Sequence, residues 1–120
     1  MKGMPTLRRQ RDLDTVFQEG NWRRLPQVAV GVLHRGDGEP SRFAFVAGRR
    51  IGTAVRRNRS RRRMREALRG LLAQVLPGAD IVLAARQETP EVEFTALQQA
   101  IRRALDHEGL LACNRREDAR

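Results

Sequence analysis

The chain has 120 residues, 40% of them hydrophobic and 32% charged, with a formal net charge of +10 and a sequence pI near 11.6. This balance excludes a disordered tail and fits one small domain with a single modest core. No apolar run approaches the roughly 20 residues that span a bilayer, and no secretory signal follows the first charges. The lone Cys113 cannot form an internal disulfide. We therefore expect a cytoplasmic protein without a membrane partner.

The first half of the chain predicts one helix and two strands. Apolar residues at helical spacing, ended by Gly20, predict a short helix over about residues 12–19. Extended runs at 27–34 and 42–48 predict strands, and the turn residues 35–38 between them predict that the two form a hairpin.

The two predicted strands alternate large and small side chains. The large ones, which we expect to face the core, are Val28, Val30, Val32, Phe43 and Phe45. The small ones, which we expect on the opposite face, are Ala29, Gly31, Ala44 and Gly48. A sheet face without bulky side chains leaves room for a ligand to lie on it. The alternative is that the first helix covers this face, and both can hold over different parts of the sheet.

The second half predicts a long helix from residue 53 or 54 to 76, a buried strand at 80–85 and a last amphipathic helix over about 94–105. The order α-β-β-α-β-α predicts an α+β two-layer sandwich with a small mixed sheet. The strand after the long helix should run parallel to the strand before it, through a βαβ crossover.

The domain should therefore cover residues 12–111. We expect residues 1–11 to be a basic, flexible N-terminus and residues 112–120 to be a polar tail.

Positive charge is concentrated in residues 49–69, which hold ten arginines and a single acid, Glu66, and so carry +9 of the chain's +10. Polar residues share one stripe of the long helix, about 120° from its apolar stripe. They are Asn58, Arg62, Arg65 and Arg69, flanked by Arg59 and Arg61. Since surface helices usually pair opposite charges, this arrangement favours a nucleic-acid partner over a solvated face or an anionic membrane.

Catalytic machinery is not evident in the sequence. His34 and His107 are isolated, Cys113 has no neighbouring His motif, and the acids are scattered. The loop at 51–54 has one glycine before a helix and could admit a phosphate, but it lacks the pattern of a nucleotide-hydrolase loop. We expect no catalytic residue, no metal or cofactor bound by the protein and no small-molecule substrate.

Two aromatic residues are candidates for contact with a nucleobase. Phe17 is equally compatible with base stacking and with packing, and Trp22 lies in a predicted loop where either role is possible.

The run RRIGTAVRRNRSRRRMREALR resembles the signature of the bacterial ribonuclease P protein subunit. That signature is a basic pair, an Ile/Val-Gly-x-Ala-Val turn and an Arg-Asn-Arg helix, matched by Arg49-Arg50, residues 51–55 and Arg57-Asn58-Arg59. The resemblance extends over most of the chain, from an opening helix at 7–20 through the strand region 77–86 to the last helix.

The resemblance implies a ribonucleoprotein that cleaves the 5′ leader from precursor tRNA, with magnesium ions held mainly by RNA and substrate, and a left-handed crossover. The residues it implies for catalytic-RNA binding are Arg49, Arg50, Arg56, Arg57, Asn58, Arg59, Arg61, Arg62, Arg65 and Arg69. Together with the bare sheet face, it implies a leader cleft formed by Arg8, Arg9, Leu13, Phe17, Ala29, Gly31, Ala44 and Gly48. The family often has aromatics at the places of Leu13 and Gly31, so this cleft should depend more on charge and shape than on stacking.

Other functions remain open from the residues alone. A structural RNA-binding protein of the ribosomal type would share the basic helix without any processing role. A DNA-binding regulator would need base-reading side chains and usually a dimer interface. A protein-only nuclease would need an acidic metal cluster, and the sequence shows none.

Overall fold

The structure, a computed structural model, describes residues 4–112. Cys113 and the rest of the predicted polar tail therefore lie outside the described residues. Three helices and a four-stranded mixed sheet confirm the predicted α+β class. The elements are α1 (Gln10–Glu19), β1 (Asn21–Arg24), β2 (Val28–His34), β3 (Arg42–Val46), α2 (Ala54–Arg69), β4 (Ala79–Ala85) and α3 (Phe94–His107), with 3₁₀ turns at Arg49–Ile51 and Leu72–Gln74.

The sheet has the strand order β1-β2-β4-β3. β4 runs antiparallel to β2 and parallel to β3, so the predicted parallel relation across the long helix is confirmed. The predicted hairpin between β2 and β3 is wrong, because β4 lies between them. The five residues Ala79–Leu83 are buried, and a strand with both faces covered is more stable at the centre of a sheet than at its edge.

A buried carboxylate holds the connection from β2 to β3 across the end of β4. Asp80 accepts a hydrogen bond from Arg35 Nη1 at 2.6 Å, and from Arg42 Nε and Nη2 at 2.9 and 2.8 Å. Arg35 also binds Asp37 within the turn, at 2.9 Å. The β2–β3 connection therefore passes over the end of β4 and is bound to β4 through Asp80.

Each face of the sheet has its own hydrophobic cluster. The larger one packs the predicted large side chains of β2 and β3 against α2 and α3, through residues such as Met64, Leu68, Leu97 and Ile101. The smaller one lies on the α1 side and contains Leu7, Val16, Ala44 and Val82.

The C-terminal end of the long helix α2 differs from the predicted one. α2 ends at Arg69 and not at 76, because Gly70 caps it and a separate 3₁₀ turn follows. A Cβ atom at Gly70 would lie 2.6 Å from the side-chain Nε2 of Gln98 on α3, which donates to the Ala67 carbonyl at 2.9 Å, so the glycine leaves room for this contact between the two helices.

The N-terminal segment packs against the sheet before α1 begins. Leu7 is buried, its amide donates to the Phe43 carbonyl at 2.9 Å, and the Phe43 amide donates to the Pro5 carbonyl at 3.0 Å. The packed part of the domain thus begins earlier than the predicted boundary at residue 12, since β3 is an edge strand whose outer hydrogen-bonding groups take partners from this segment.

β1 is a strand that the sequence patterns do not predict. Its four residues, NWRR, are mostly exposed, so it has no alternation of apolar and polar residues. It pairs with β2 in antiparallel register, which places Trp22 opposite Gly31.

Candidate nucleic-acid interface

The arginine helix begins directly after β3 and a tight turn. Gly52 has φ of +127°, a backbone conformation open to glycine, and the Thr53 hydroxyl caps the helix by accepting a hydrogen bond from the Arg56 amide at 3.2 Å. The turn and the cap together fix the direction in which α2 leaves the sheet. They therefore also fix where the polar side chains on the two sides of the helix point.

One flank of α2 holds the loop between β4 and α3. Arg56 Nη1 binds the Glu91 carboxylate at 2.5 Å, Arg59 Nε donates to the Pro90 carbonyl at 2.7 Å, and Arg63 donates to the carbonyls of Thr89 (2.7 Å) and Val92. We call Arg56, Arg59 and Arg63 the clamp arginines. Burial, together with the nearby charge of Arg59, lowers the pKa of Arg63.

The opposite flank of α2 is turned toward solvent and toward β3. Its polar residues, which we call the open arginine face, are Asn58, Arg61, Arg62, Arg65 and Arg69. Within residues 4–112, their hydrogen bonds and ion pairs stay inside α2: Arg61 donates to Asn58, and Arg69 binds Glu66 at 2.9 Å. Arg65 lies over the Phe45 ring, 5.2 Å from its centroid.

The remaining arginines of the predicted RNA-binding set precede or begin the helix. Arg49 and Arg50 are exposed in the 3₁₀ turn, and Arg57 donates to the Gly52 carbonyl at 3.2 Å. The predicted set is thus divided: Arg56 and Arg59 bind the protein's own loop, whereas the side chains of the other members make no hydrogen bond or ion pair beyond α2 and the turn before it within the described residues. Sequence periodicity places Arg59 beside the open stripe, but its partner is a backbone carbonyl that has no sequence signature.

The predicted bare sheet face is covered over most of its area. Ala29 and Ala44 are buried, and the indole of Trp22 lies on Gly31, where a Cβ atom would be 2.4 Å from Trp22 Cε2. At these three positions the alternative of a covered face therefore holds, because α1 and the Trp22 side chain of β1 lie on it. Gly48 has no atom within 4 Å of a Cβ position and stays open.

Phe17 is the most exposed aromatic on the α1 side, with 48% of its surface accessible, although the neighbouring Val16 is fully buried. Its ring stacks on Trp22 with centroids 5.2 Å apart and an interplanar angle of 18°. Arg8 and Arg9 are exposed just before α1. The two predicted groups lie apart: Arg8 and Arg9 precede α1 beside the edge strand β3, whereas Phe17, near the end of α1, stacks on a residue of the other edge strand, β1.

A groove of about 450 Å³ joins the α1 side to the open arginine face. Its lining includes Leu13 from α1, Phe45 and Val46 from β3, and Arg65 and Arg69 from α2. An apolar floor with guanidinium groups on one wall suits a single-stranded nucleic acid, whose bases contact apolar surface while its phosphates meet cations. Sequence patterns indicate Leu13, Arg65 and Arg69 separately, but only the fold brings them together.

The described residues hold neither a metal-binding cluster nor a membrane-spanning helix. Between Met4 and Ala112, no group of three or more His, Cys, Asp or Glu side chains is arranged to hold a metal ion. None of the helices found there is long and apolar enough to cross a bilayer.

Comparison with known proteins gives one consistent family. The family model described as Ribonuclease P matches residues 1–108. The ribonuclease P protein component of Symbiobacterium thermophilum is 37% identical over 111 residues, covering 92% of this chain and 96% of the relative. That of Gluconacetobacter diazotrophicus is 35% identical over 105 residues, covering 87% and 90%.

Solved structures agree with the sequence comparison. The RNase P protein from Thermotoga maritima superposes with a TM-score of 0.73 at 29% identity, covering 85% of this chain and 96% of that one. The Staphylococcus aureus RNase P protein has a TM-score of 0.76, covering 91% and 99%, and at 19% identity it shows that the fold is shared.

Proposed function

Because this chain belongs to the ribonuclease P protein family, and so acts as a component of an endoribonuclease ribonucleoprotein in tRNA processing, we propose that it binds a catalytic RNA and the 5′ leader of precursor tRNA. In this role it promotes endonucleolytic removal of the leader to give the mature tRNA 5′ end. The observation that carries the proposal is the open arginine face, whose hydrogen bonds and ion pairs stay inside α2 within the described residues.

The catalytic RNA is the proposed partner of the open arginine face and of Arg49, Arg50 and Arg57. Their guanidinium groups can bind phosphates in bidentate fashion, and this kind of contact positions an RNA without reading its sequence. Arg56 and Arg59 support the interface indirectly, because they fix the loop beside the helix. Neutralisation by RNA would also relieve the repulsion among the closely spaced cations of α2.

The leader is the proposed occupant of the groove along β3 and of the surface around Phe17. Leu13, Phe45 and Val46 form an apolar floor, and Arg65 and Arg69 of the open arginine face form one wall. A leader in this groove would place its phosphates beside the cations that bind the catalytic RNA. The protein would thereby hold substrate and catalyst together and raise the local concentration of one at the other.

We assign the hydrolytic chemistry to the RNA and not to protein side chains. The supporting observation is the donor set, because the described residues offer no cluster of acids, histidines or cysteines suited to a metal-activated water. Magnesium ions would be held by the catalytic RNA and the substrate, and the protein would lower the magnesium concentration that cleavage requires.

The test is cleavage of a precursor tRNA by a bacterial ribonuclease P RNA at low magnesium, with and without the protein. We expect the protein to restore cleavage at the mature 5′ end. The double variant Arg62→Ala/Arg65→Ala should lose most of this effect, and Arg102→Ala/Arg103→Ala on α3 should keep it with the same change in net charge. Tight RNA binding without any stimulation would instead indicate a structural RNA-binding protein of the ribosomal type.

A further inference from the structure

We propose that Trp22 is a positioning residue of the leader-binding surface, which holds the Phe17 ring outward as a stacking platform for one base of the leader. This inference rests on the proposed function. It concerns a residue of β1, the strand that no sequence pattern predicts, and it assigns to Trp22 the role of filling a space that Gly31 leaves on the sheet.

The first observation is the register of β1 and β2. Trp22 and Gly31 are direct cross-strand partners, so their side chains project from the same face of the sheet. A Cβ atom at residue 31 would lie 2.4 Å from Cε2 and 2.5 Å from Cζ2 of the indole. Since Cβ atoms do not approach other atoms so closely, the indole can occupy this place only because residue 31 is glycine.

The second observation is how firmly the indole is held. Its Nε1 donates a hydrogen bond to the Val16 carbonyl at 3.1 Å, which ties β1 to the buried side of α1. The Arg24 guanidinium lies 5.8 Å from the indole centroid, a separation at which a cation is attracted to the ring. Trp22 is therefore fixed from the sheet, from α1 and from its own strand.

The third observation is that this fixed ring supports an exposed one. Phe17 stacks on Trp22 at 5.2 Å yet keeps 48% of its surface accessible. An exposed phenylalanine on a helix would ordinarily rotate among its side-chain conformations, and contact with a large flat neighbour restricts this motion. A base that stacks on Phe17 then meets a ring already held in place, so less ordering entropy is lost on binding.

The chemistry of this surface suits single-stranded RNA. The aromatic pair offers a stacking surface that accepts any base, and Arg24 beside it offers a cation for a phosphate. The alternative is that Trp22 only covers the sheet, in which case its removal would lower stability without affecting the leader. The experiment must therefore separate leader affinity from stability and from catalytic-RNA affinity.

The experiment compares binding of two precursor tRNAs, with a five-nucleotide and with a one-nucleotide leader, to the reconstituted holoenzyme. For the wild-type protein the longer leader should bind more tightly. Trp22→Ala and Phe17→Ala should each reduce this advantage by roughly fivefold or more, the range for one aromatic–base stack. The double variant should lose little beyond either single variant, because the two rings act as one unit.

A cross-strand exchange provides the control for stability. In Trp22→Ala/Gly31→Tyr, the ring is supplied from β2 into the space that the indole has vacated, so the advantage of the longer leader should be regained. Gly31→Tyr alone, with Trp22 still present, should lose it because the two rings collide. Catalytic-RNA affinity should stay within about twofold of wild type in all these variants, which a general loss of folding would not allow.

Trp22 also provides a direct signal, because the chain has one tryptophan and no tyrosine. A five-nucleotide leader should change its fluorescence in the holoenzyme, and Phe17→Ala should reduce that change. The inference is overturned if wild-type protein stimulates cleavage but Trp22→Ala keeps the full advantage of the longer leader. Failure of the proposed function would look different, because the wild-type protein itself would then give no stimulation.

Discussion

At the scale of single residues, the most consequential side chain outside the interface is Asp80. It is almost fully buried and is bound by two arginines, Arg35 and Arg42, from the two ends of the β2–β3 connection. Burying one carboxylate between two guanidinium groups costs desolvation, and the hydrogen bonds to both partners offset it. The side chain of Arg35 is itself largely covered, so loss of Asp80 would leave it without the buried one of its two carboxylate partners, Asp37 and Asp80.

Asp80→Ala should lower the free energy of unfolding by about 3 kcal/mol, because it leaves Arg35 largely buried and incompletely paired. Urea unfolding followed by circular dichroism measures this loss. Asp106→Asn on the exposed side of α3 is the matched control and should change stability by less than about 0.5 kcal/mol. Equal stabilities for the two variants would contradict the structural role of Asp80.

The turn carboxylate Asp37 gives a pH dependence of known sign. Its hydrogen bonds from Arg35 lower its pKa below the ordinary value of 3.8. A group whose pKa is lower in the folded state stabilises the fold above its unfolded pKa, and this contribution is lost as pH falls through the folded pKa. In melting temperatures measured between about pH 2 and 6, Asp37→Asn should therefore show a shallower decline below about pH 4 than wild type. An identical acid limb in both proteins would show that this ion pair adds nothing to stability.

At the scale of elements, the arginine helix is two surfaces with different partners. The clamp arginines bind a loop of the protein itself, and the open arginine face makes no hydrogen bond or ion pair outside α2 within residues 4–112. Helical periodicity predicts the helix, its buried stripe and most of the open face. It cannot separate the two flanks, because the clamp partners are chiefly carbonyl oxygens from a distant loop, and any residue type can supply a carbonyl.

The same limit explains the errors in the sheet. The buried character of β4 is evident from its apolar run, and its parallel alignment with β3 follows from the helix between them. Its position between β2 and β3 is held by Asp80 and is favoured because a strand buried on both faces is more stable at the centre of a sheet than at its edge. The turn residues between β2 and β3 indicate neither of these interactions. Trp22 is likewise ambiguous until β1 places it opposite Gly31.

The division of the helix predicts two distinct mutant phenotypes. Arg62→Ala/Arg65→Ala should weaken binding to the catalytic RNA and reduce the slope of log K against log salt by roughly 0.7 to 0.9 for each phosphate that the variant no longer binds. Filter binding over a range of potassium chloride concentrations measures this slope. If the slope is unchanged, the open arginine face does not lie at the interface.

Arg63→Ala is the contrasting variant from the clamp. It removes donors to the Thr89 and Val92 carbonyls, so it should lower stability by about 2 kcal/mol through the absence of these charged hydrogen bonds. Under conditions where the variant remains folded, its salt slope should equal that of wild type. A reduced slope would instead show that Arg63 also binds phosphate.

At the scale of the whole molecule, the fold keeps a near-neutral body beside one strongly charged element. Residues 49–69 carry +9 of the +10 total, and their repulsion opposes the compact state when no RNA is present. Multivalent anions that bind the folded arginine helix should therefore stabilise the free protein by mass action.

Sodium sulfate at about 20 mM should raise the melting temperature more than sodium chloride at the same ionic strength. Arg62→Ala/Arg65→Ala should reduce the difference between the two salts, because it removes part of the anion-binding surface. Differential scanning fluorimetry is sufficient for this comparison. An equal response to sulfate in the variant would place the anions elsewhere on the protein.

The central position of β4 also determines when the protein can fold during its synthesis. Until the residues from Ala79 onward have left the ribosome, β2 and β3 cannot be joined into one sheet, because the strand that hydrogen-bonds to both of them has not yet emerged. Most of the chain, including the whole arginine helix, must therefore emerge before the sheet can close. Such long-range closure slows folding and leaves strand edges exposed on the nascent chain. A helix rich in arginine, already free of the ribosome at that stage, would be available to RNA before the domain is complete.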